Sequence, residues 1–329
     1  MYSEFIKSPD KEEKLLKKFN NERMVPGDDF SNVYSSYSDD MGRVEQLEEV
    51  YGGQESRLGK VAEALVYSVL KRHEVAQNLA FRPASTYDDF FHGTDVLVEQ
   101  RNGSVKAFAT IDITINQSDI KGNERKLDKD PRIVEARPVG LEGKLIRSRR
   151  YTDYLSNYDP GDARNLSGWL ESGGLSETAN DRNRRFFTEA EKLFLLKYFY
   201  RADNSTDTEK PGYIIGGPQA IISIDTAFIN KALQGSRSDE DIVSDLSVLE
   251  FVFCLQKEQA YLDKKITSNS ARNLFFDSHY AKVKAWSHIM EKEDFREMIN
   301  NLFIKNKNNQ DFMEQLRYYI RISNKVFGE

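Results

Sequence analysis

A predicted β-hairpin at residues 95–115 constrains the fold of this chain more than any other feature of its sequence. Asn102-Gly103 is a strong signal for a two-residue turn. The segments on either side, 95–100 and 105–115, are rich in β-branched and aromatic residues, as strands commonly are. The sequence therefore predicts two antiparallel strands that pair across this turn.

The predicted register of the hairpin brings two acidic residues together. If Arg101 faces Ser104, Asp95 lies opposite Thr110 and diagonal to Asp112, on the same face of the pair. The backbones of diagonal neighbours are roughly 7–8 Å apart, so two short carboxylates there can converge on one hard cation. The opposite face is apolar and consists of Val96, Val98, Ala109, Ile111, Ile113 and Ile115.

An ordinary half-solvated sheet accounts for the same alternation. In that interpretation the apolar residues face the core, while Thr110, Asp112 and Thr114 face water. Aspartate is nevertheless disfavoured inside strands, and Asp112 stands between two isoleucines. The hairpin thus carries either a plain polar face or part of a metal site.

A third acid precedes the hairpin on a predicted amphipathic helix at 58–72. Val61, Leu65 and Val69 form its apolar stripe, and Glu63 lies at the margin of that stripe. Glutamate is also a good helix former and suits the first turns of a helix, so a purely structural role for Glu63 remains an alternative.

In chain order, the helix with Glu63, the strand with Asp95, the turn and the strand with Asp112 resemble the PD-(D/E)xK nuclease superfamily, whose core is an α-β-β-β-α-β unit. The resemblance covers residues 58–117. It implies a restriction-endonuclease-like α/β (α+β) fold, in which helices flank a mixed sheet. It also implies that Glu63, Asp95 and Asp112 hold Mg²⁺ or Mn²⁺.

One position departs from the family pattern. Two residues after Asp112, where the family usually has lysine, this chain has Thr114, whose hydroxyl binds water but supplies no positive charge. The lysine lies on another element in some members of the superfamily, and Lys60, Lys121 and Lys126 are the candidates nearby. Each of these lysines also fits a solvated surface position.

The resemblance implies a metal-dependent nuclease that hydrolyses phosphodiester bonds, in DNA rather than RNA, either internally or from an end. Bound metal ions would polarise the phosphate and activate the attacking water. The alternative is a non-catalytic scaffold with the same core that binds nucleic acid or a protein partner. In that case the threonine at position 114, in place of lysine, indicates that catalytic activity has been lost.

Charge limits where a nucleic acid can bind. A net charge of −6 and a pI near 5.5 do not favour a general nucleic-acid binder, because affinity for phosphates comes largely from lysine and arginine. One local segment is basic and is followed by tyrosines, a combination that suits backbone contacts with base stacking. Its basic residues are Lys144, Arg147, Arg149 and Arg150. A solvated helix end or loop is the other interpretation.

Composition divides the chain into three predicted regions. Residues 1–55 form an N-terminal arm with a helical stretch at 11–19. Residues 56–235 form the α/β core, interrupted by a polar insertion or loop layer at 118–183. Residues 236–329 form a helical region that could bind a protein partner or a second copy of the chain.

Periodicity predicts further elements within these regions. In the core it indicates a helix at 186–200 and a strand at 220–225, after which Asp225 caps the next helix. In the C-terminal region it indicates helices at 242–262, 281–304 and 312–327.

The remaining composition indicates a globular protein of the reducing cytoplasm. Hydrophobic residues make up 39% of the chain, yet no apolar run is long enough to span a bilayer and no secretory signal is visible. The single cysteine, Cys254, excludes an intramolecular disulfide, and its apolar neighbours predict a core position.

Overall fold

The structure, a computed structural model, describes residues 9–23, 37–51, 57–73, 79–100, 108–116, 140–156, 195–202, 209–215, 217–235, 237–268 and 274–328. The helices in these ranges are α1 (Pro9–Glu22), α2 (Tyr37–Tyr51), α3 (Arg57–Arg72), α4 (Thr86–His92), α5 (Gly140–Ser156), α6 (Thr226–Gln234), α7 (Arg237–Ser268), α8 (Leu274–Met290), α9 (Glu293–Asn306) and α10 (Gln310–Phe327). The strands are β1 (Leu79–Pro83), β2 (Val96–Gln100), β3 (Phe108–Asn116), β4 (Leu195–Ala202), β5 (Glu209–Ile215) and β6 (Gln219–Asp225).

A four-stranded mixed sheet forms the centre of the fold, in the order β1-β2-β3-β6. β2 is antiparallel to both of its neighbours, whereas β3 and β6 are parallel. β4 and β5 form a separate antiparallel pair. Along the described part of the chain, the elements from α3 to β6 occur in the order α3, β1, α4, β2, β3, α5, β4, β5 and β6. The expectation of a mixed α/β fold with a C-terminal helical region is confirmed.

The register of β2 and β3 differs from the predicted one by two residues. Leu97, instead of Asp95, lies opposite Thr110, and Val96 lies opposite Ile111. A shift by two leaves every side chain on its original face, so the hydrophobic pattern cannot distinguish the two registers. The turn at Asn102-Gly103 on which the prediction depended lies outside the described residues.

The polar face of β3 is covered. Thr110, Asp112 and Thr114 are only 5%, 2% and 8% exposed, nearly as buried as the isoleucines between them. A half-solvated sheet would leave these three side chains in water. The plain polar face considered above is therefore wrong, and Asp112 is a buried acid.

The first helix packs on α3. Phe19 lies in the hydrophobic core and meets the Tyr67 ring edge-on, with ring centroids 5.5 Å apart. Glu22 accepts hydrogen bonds from the Tyr67 hydroxyl and from Lys71. The helix predicted at 11–19 is confirmed within α1, and aromatic burial together with polar contacts attaches α1 to α3.

Two C-terminal helices cover the open edge of the sheet at β6. From α10, Gln315 donates to the Ser223 carbonyl and accepts from the Asp225 N–H (3.1 Å), and the Tyr319 hydroxyl donates to the Ile221 carbonyl (2.6 Å). From α7, Glu250 accepts from the Ser223 N–H (2.6 Å). These side chains take the place of a further strand and satisfy edge groups that would otherwise be buried without partners.

Burial disfavours the charged forms of the titratable groups at this edge. Burial raises the pKa of Glu250 well above its usual range, against the effect of the hydrogen bonds from Ser223 and Gln315. Burial also raises the pKa of Tyr319 well above 10 and that of Cys254 to about 12. The predicted core position of Cys254, which is 1% exposed, is confirmed.

Several predicted elements need correction. The loop layer expected at 118–183 contains α5, which places Leu141 and Leu145 in the core. The helix expected at 186–200 is wrong from residue 195 onward, because β4 pairs there with β5. The single helix expected at 281–304 is two helices, α8 and α9, separated at residues 291–292. For β4 the pairing with β5, which lies beyond a local window of sequence, decides the outcome.

Other expectations hold. α3, β6, α7 and α10 lie where periodicity predicts them, and Asp225 caps α6 by accepting from the Ala227 N–H (2.7 Å). No helix in the described ranges is long and apolar enough to cross a membrane. The predicted division into regions at residues 55 and 235 stays a prediction.

Candidate active site

Asp95 is fixed directly before β2 by its backbone and by its side chain. Its N–H donates to the Ile111 carbonyl and its own carbonyl accepts from Ala84, both at 2.9 Å. Its Oδ2 accepts from the Ile113 N–H at 2.6 Å. The ladder between β2 and β3 begins at Val96 and Ile111, so Asp95 lies one residue before it and contacts β3 through its N–H and its carboxyl.

A fourth acid comes from α4, the short helix inserted between β1 and β2. Ser85 caps its start by accepting from the Asp88 N–H, and Gly93 ends it in the left-handed conformation, with a φ of 59°. The Gly93 N–H donates to the Asp89 carbonyl, so the chain turns back towards Asp95 within a few residues. A left-handed residue favours glycine, which explains this position. α4 thereby places Asp89 beside the acids of the sheet.

Lys144 on α5 is the partner of Asp112. Its ammonium group donates to Asp112 Oδ1 and to the Ile113 carbonyl, the latter at 2.7 Å. The Lys144 side chain is 19% exposed and that of Asp112 is 3% exposed. A helix that begins more than twenty residues after Asp112 thus places a cation next to this buried acid.

Arg23, the residue that follows α1, is the partner of Asp89. Its guanidinium group forms an ion pair with Asp89. Burial alone would lower the pKa of Arg23, but the charges of Asp89, Glu63 and Asp95 raise it above its ordinary value. Arg23 thus lies within electrostatic reach of three acids: Asp89 on α4, Glu63 on α3 and Asp95 directly before β2. Glu63 reaches this group from α3 and is 9% exposed.

The environment of Asp95 disfavours its negative charge. Burial raises the pKa of Asp95 well above its usual range, and the nearby charges of Asp89 and Asp112 raise it further. Lys144 and the Ile113 N–H act in the opposite direction. Neighbouring carboxyls in a buried site favour protonation or the arrival of a cation, and such perturbed groups are common at functional sites.

The other predicted catalytic residues, Thr114, Lys60 and Lys121, differ in burial and in whether the structure describes them. Thr114 is buried in β3 and pairs in register with Ser223 of β6. Lys60 is half-buried on α3, and Lys121 lies outside the described residues. The predicted catalytic roles of these residues stay predictions.

The predicted basic segment lies on α5. Lys144 contacts Asp112, while Arg149 donates to the Val326 carbonyl at 2.8 Å. Arg147 and Arg150 belong to the same helix. A nucleic-acid contact of this segment stays a prediction.

Sequence reasoning missed Arg23 and Asp89 as site residues and gave Lys144 a different role. Arg23 stands just after a short charged helix, and Asp89 belongs to an acidic pair near a turn, so neither has a distinctive local pattern. The one available signal was that the three acids of the segment 88–95, together with Asp112, lie close in sequence to a single predicted hairpin. Contacts across 32 and 66 residues of chain bring in the two cations.

No family model, no curated protein and no solved structure matches this chain. Its chemistry is therefore inferred from its own residues.

The carboxylates suit a hard divalent cation. In the part of the chain that the structure describes, no three His, Cys, Asp or Glu side chains converge closely enough to hold an ion. Mg²⁺, however, commonly takes one or two protein carboxylates and completes its shell with water and phosphate oxygens. Asp95 and Asp112 fit that preference by chemistry, and an ion there would share Asp112 with Lys144.

Proposed function

We propose that this protein is a Mg²⁺- or Mn²⁺-dependent nuclease with a core of the PD-(D/E)xK type, acting on DNA in preference to RNA. The α-β-β-β-α-β order of α3, β1, β2, β3, α5 and β6 supports this proposal. So do the positions of Glu63 on the helix, Asp95 before the second strand and Asp112 in the third, which follow the family order.

The observation that carries the proposal is the contact of Lys144 with Asp112. A nuclease site needs positive charge near the phosphate besides the acids that hold a metal. Thr114 cannot supply it, whereas the ammonium group of Lys144 is held between Asp112 Oδ1 and the Ile113 carbonyl. A half-buried lysine with two acceptors on the strand that carries the acid differs from a solvated surface lysine.

The proposed roles follow from these contacts. Asp95 and Asp112, with Glu63 through water, would hold the metal, which when bound would polarise the phosphate and lower the pKa of water. The hydrogen bond from the Ile113 N–H fixes the orientation of the Asp95 carboxyl. Lys144 places its charge beside the reacting phosphate and orients Asp112.

A non-catalytic scaffold is the second candidate, and two observations favour it. Asp112 and Asp89 already have protein cations as partners, Lys144 and Arg23, so their charges are compensated without a metal. Phe303 and Ile304 on α9 are 44% and 57% exposed, an apolar pair that a protein partner or a second copy could cover.

Cleavage of linear and circular DNA and of RNA in Mg²⁺, Mn²⁺ or EDTA tests the proposal. We expect metal-dependent cleavage by the wild type, loss of activity in Asp112→Asn, and a decrease of about 100-fold in Lys144→Gln. Lys325→Gln is the matched control. Lys325 lies on α10 and forms an exposed ion pair with Glu142, which belongs to α5, the helix of Lys144.

Three results separate the candidates. Cleavage that needs metal, Asp112 and Lys144 but not Lys325 supports the nuclease. Cleavage that survives Asp112→Asn indicates a contaminating enzyme and contradicts the proposal. Absence of cleavage of every polymer with both metals, from a folded protein, favours the scaffold.

A further inference from the structure

We propose that Arg23, delivered by α1, binds a backbone phosphate of the nucleic acid, and that Asp89 is the residue that positions it. This inference rests on the proposed function, because it assigns the phosphate contact of the same site. It gives residues 9–23 a direct part in the site, beyond their packing on the core.

The position of Arg23 is firmly determined by α1. Its N–H donates to the Phe19 carbonyl at 2.9 Å, so Arg23 continues the hydrogen bonding of the helix. Phe19 is buried against Tyr67, and Glu22 contacts both Tyr67 and Lys71 of α3. The end of α1 is therefore attached to the helix that carries Glu63.

The guanidinium group has hydrogen-bonding capacity that the described residues do not use. Only Nη2 bonds to Asp89, and the buried Nε has no hydrogen-bond acceptor among the described residues. Arginine presents several N–H groups in a planar fork that matches the oxygens of a phosphate. Because Asp89 holds only one edge of the guanidinium group, other N–H groups of Arg23 remain for a second anion.

The charges around Arg23 suit a ternary arrangement of acids, metal and phosphate. A cation placed beside Glu63, Asp89 and Asp95 opposes binding of a metal ion by itself. A phosphodiester adds negative charge next to both cations, so the polymer and the metal stabilise each other in the site. Lys144 beside Asp112 and Arg23 beside Asp89 would then contact the polymer from two elements, α5 and the end of α1.

A purely structural role is the competing explanation, in which Arg23 only attaches α1 to α4. Lys71→Gln is the matched control for this role. Lys71 also forms an ion pair between α1 and α3, with Glu22 at 2.8 Å, and the substitution removes the same single charge. Lys71 is 44% exposed, and none of the site acids is among the groups that shift its pKa.

The test measures binding of a fluorescein-labelled DNA duplex and single strand by fluorescence anisotropy, across a series of salt concentrations, in Ca²⁺ and in EDTA. Gels run in parallel show whether the DNA stays intact. In Arg23→Gln we expect affinity to decrease about tenfold and the salt slope to fall by about one, because one phosphate contact is lost. Lys71→Gln should behave as the wild type.

Two further variants separate charge from geometry. Arg23→Lys keeps the charge but not the fork, so we expect the salt slope of the wild type with weaker binding. Asp89→Asn keeps Arg23 charged but removes the carboxylate that fixes its position. We again expect the salt slope of the wild type with weaker binding. Thermal unfolding of each variant shows that the fold is intact.

The outcomes test the inference separately from the nuclease proposal. If Arg23→Gln matches Lys71→Gln in affinity and salt slope, or if the wild type binds neither DNA form, Arg23 has only a structural role. If the wild type binds DNA through Arg23 but cleaves nothing with either metal, the inference stands and the nuclease proposal fails.

Discussion

Replacing Gln315 by methionine tests how the open edge of the sheet is protected. The Gln315 side chain is 7% exposed and acts as a substitute for backbone, accepting from the Asp225 N–H and donating to the Ser223 carbonyl. Methionine has a similar length and shape but makes neither bond. The variant therefore leaves two groups of β6 without their partners and removes the hydrogen bond from Gln315 to Glu250, with little change in packing volume.

The expected loss in free energy of unfolding follows from the burial of the two hydrogen bonds to β6. Leaving a buried backbone group without a partner costs about 1–3 kcal/mol. The Ser223 carbonyl lies in a buried bond, whereas the Asp225 N–H is only partly buried and can recover some solvation. We expect Gln315→Met to lower the free energy of unfolding by about 2–4 kcal/mol.

Urea unfolding followed by circular dichroism measures this loss. Gln310→Met is the matched control, since Gln310 lies on the same helix, is exposed and bonds only to Glu314 in the described structure. We expect a change within about 0.5 kcal/mol for that control. A loss in Gln315→Met no larger than in Gln310→Met would refute the idea that this amide stabilises the edge of β6.

Three further predictions concern buried charge and capping. Burial places the pKa of Glu250 in the folded protein above its value in the unfolded chain. The contribution of Glu250 to the free energy of unfolding is therefore complete below the unfolded pKa and is lost as pH rises through the folded pKa. The free energy of unfolding of Glu250→Gln, measured in urea across this pH range, should therefore rise relative to the wild type; a constant difference would contradict this. Lys144→Gln should cost about 2–4 kcal/mol by leaving Asp112 buried without its cation, and the double variant with Asp112→Asn should recover part of that loss in the same assay. No recovery would show that the two residues act independently. Asp225→Ala should cost about 1 kcal/mol through loss of the α6 cap, whereas Asp225→Ser should cost less, as urea midpoints will show.

The candidate site shows how charge can be balanced inside a fold. Asp112 is paired with Lys144 and Asp89 with Arg23, while Asp95 accepts from a backbone N–H and has a raised pKa. Pairing of this kind lowers the cost of burying several acids together. It also leaves Asp95 as the acid whose charge most needs a further cation, which is consistent with the proposed metal site.

Local sequence patterns determined a substantial part of this architecture. The spacing of apolar residues placed α3, α7 and α10, and the two-residue period of β3 set Thr110, Asp112 and Thr114 on one face. The capping role of Asp225 was also readable, because a cap depends on the residues next to it. Such features depend on neighbours within a few positions, so the sequence alone is sufficient for them.

Tertiary structure decided the exact register, the strand at β4 and the cations of the site. The register shift preserves the faces and so leaves the pattern unchanged, and β4 forms because β5 pairs with it. Lys144 and Arg23 reach the acids only through packing of α5 and α1, across 32 and 66 residues of chain. Contacts at such separations depend on how whole elements pack, and this information does not reside in any short segment of the sequence.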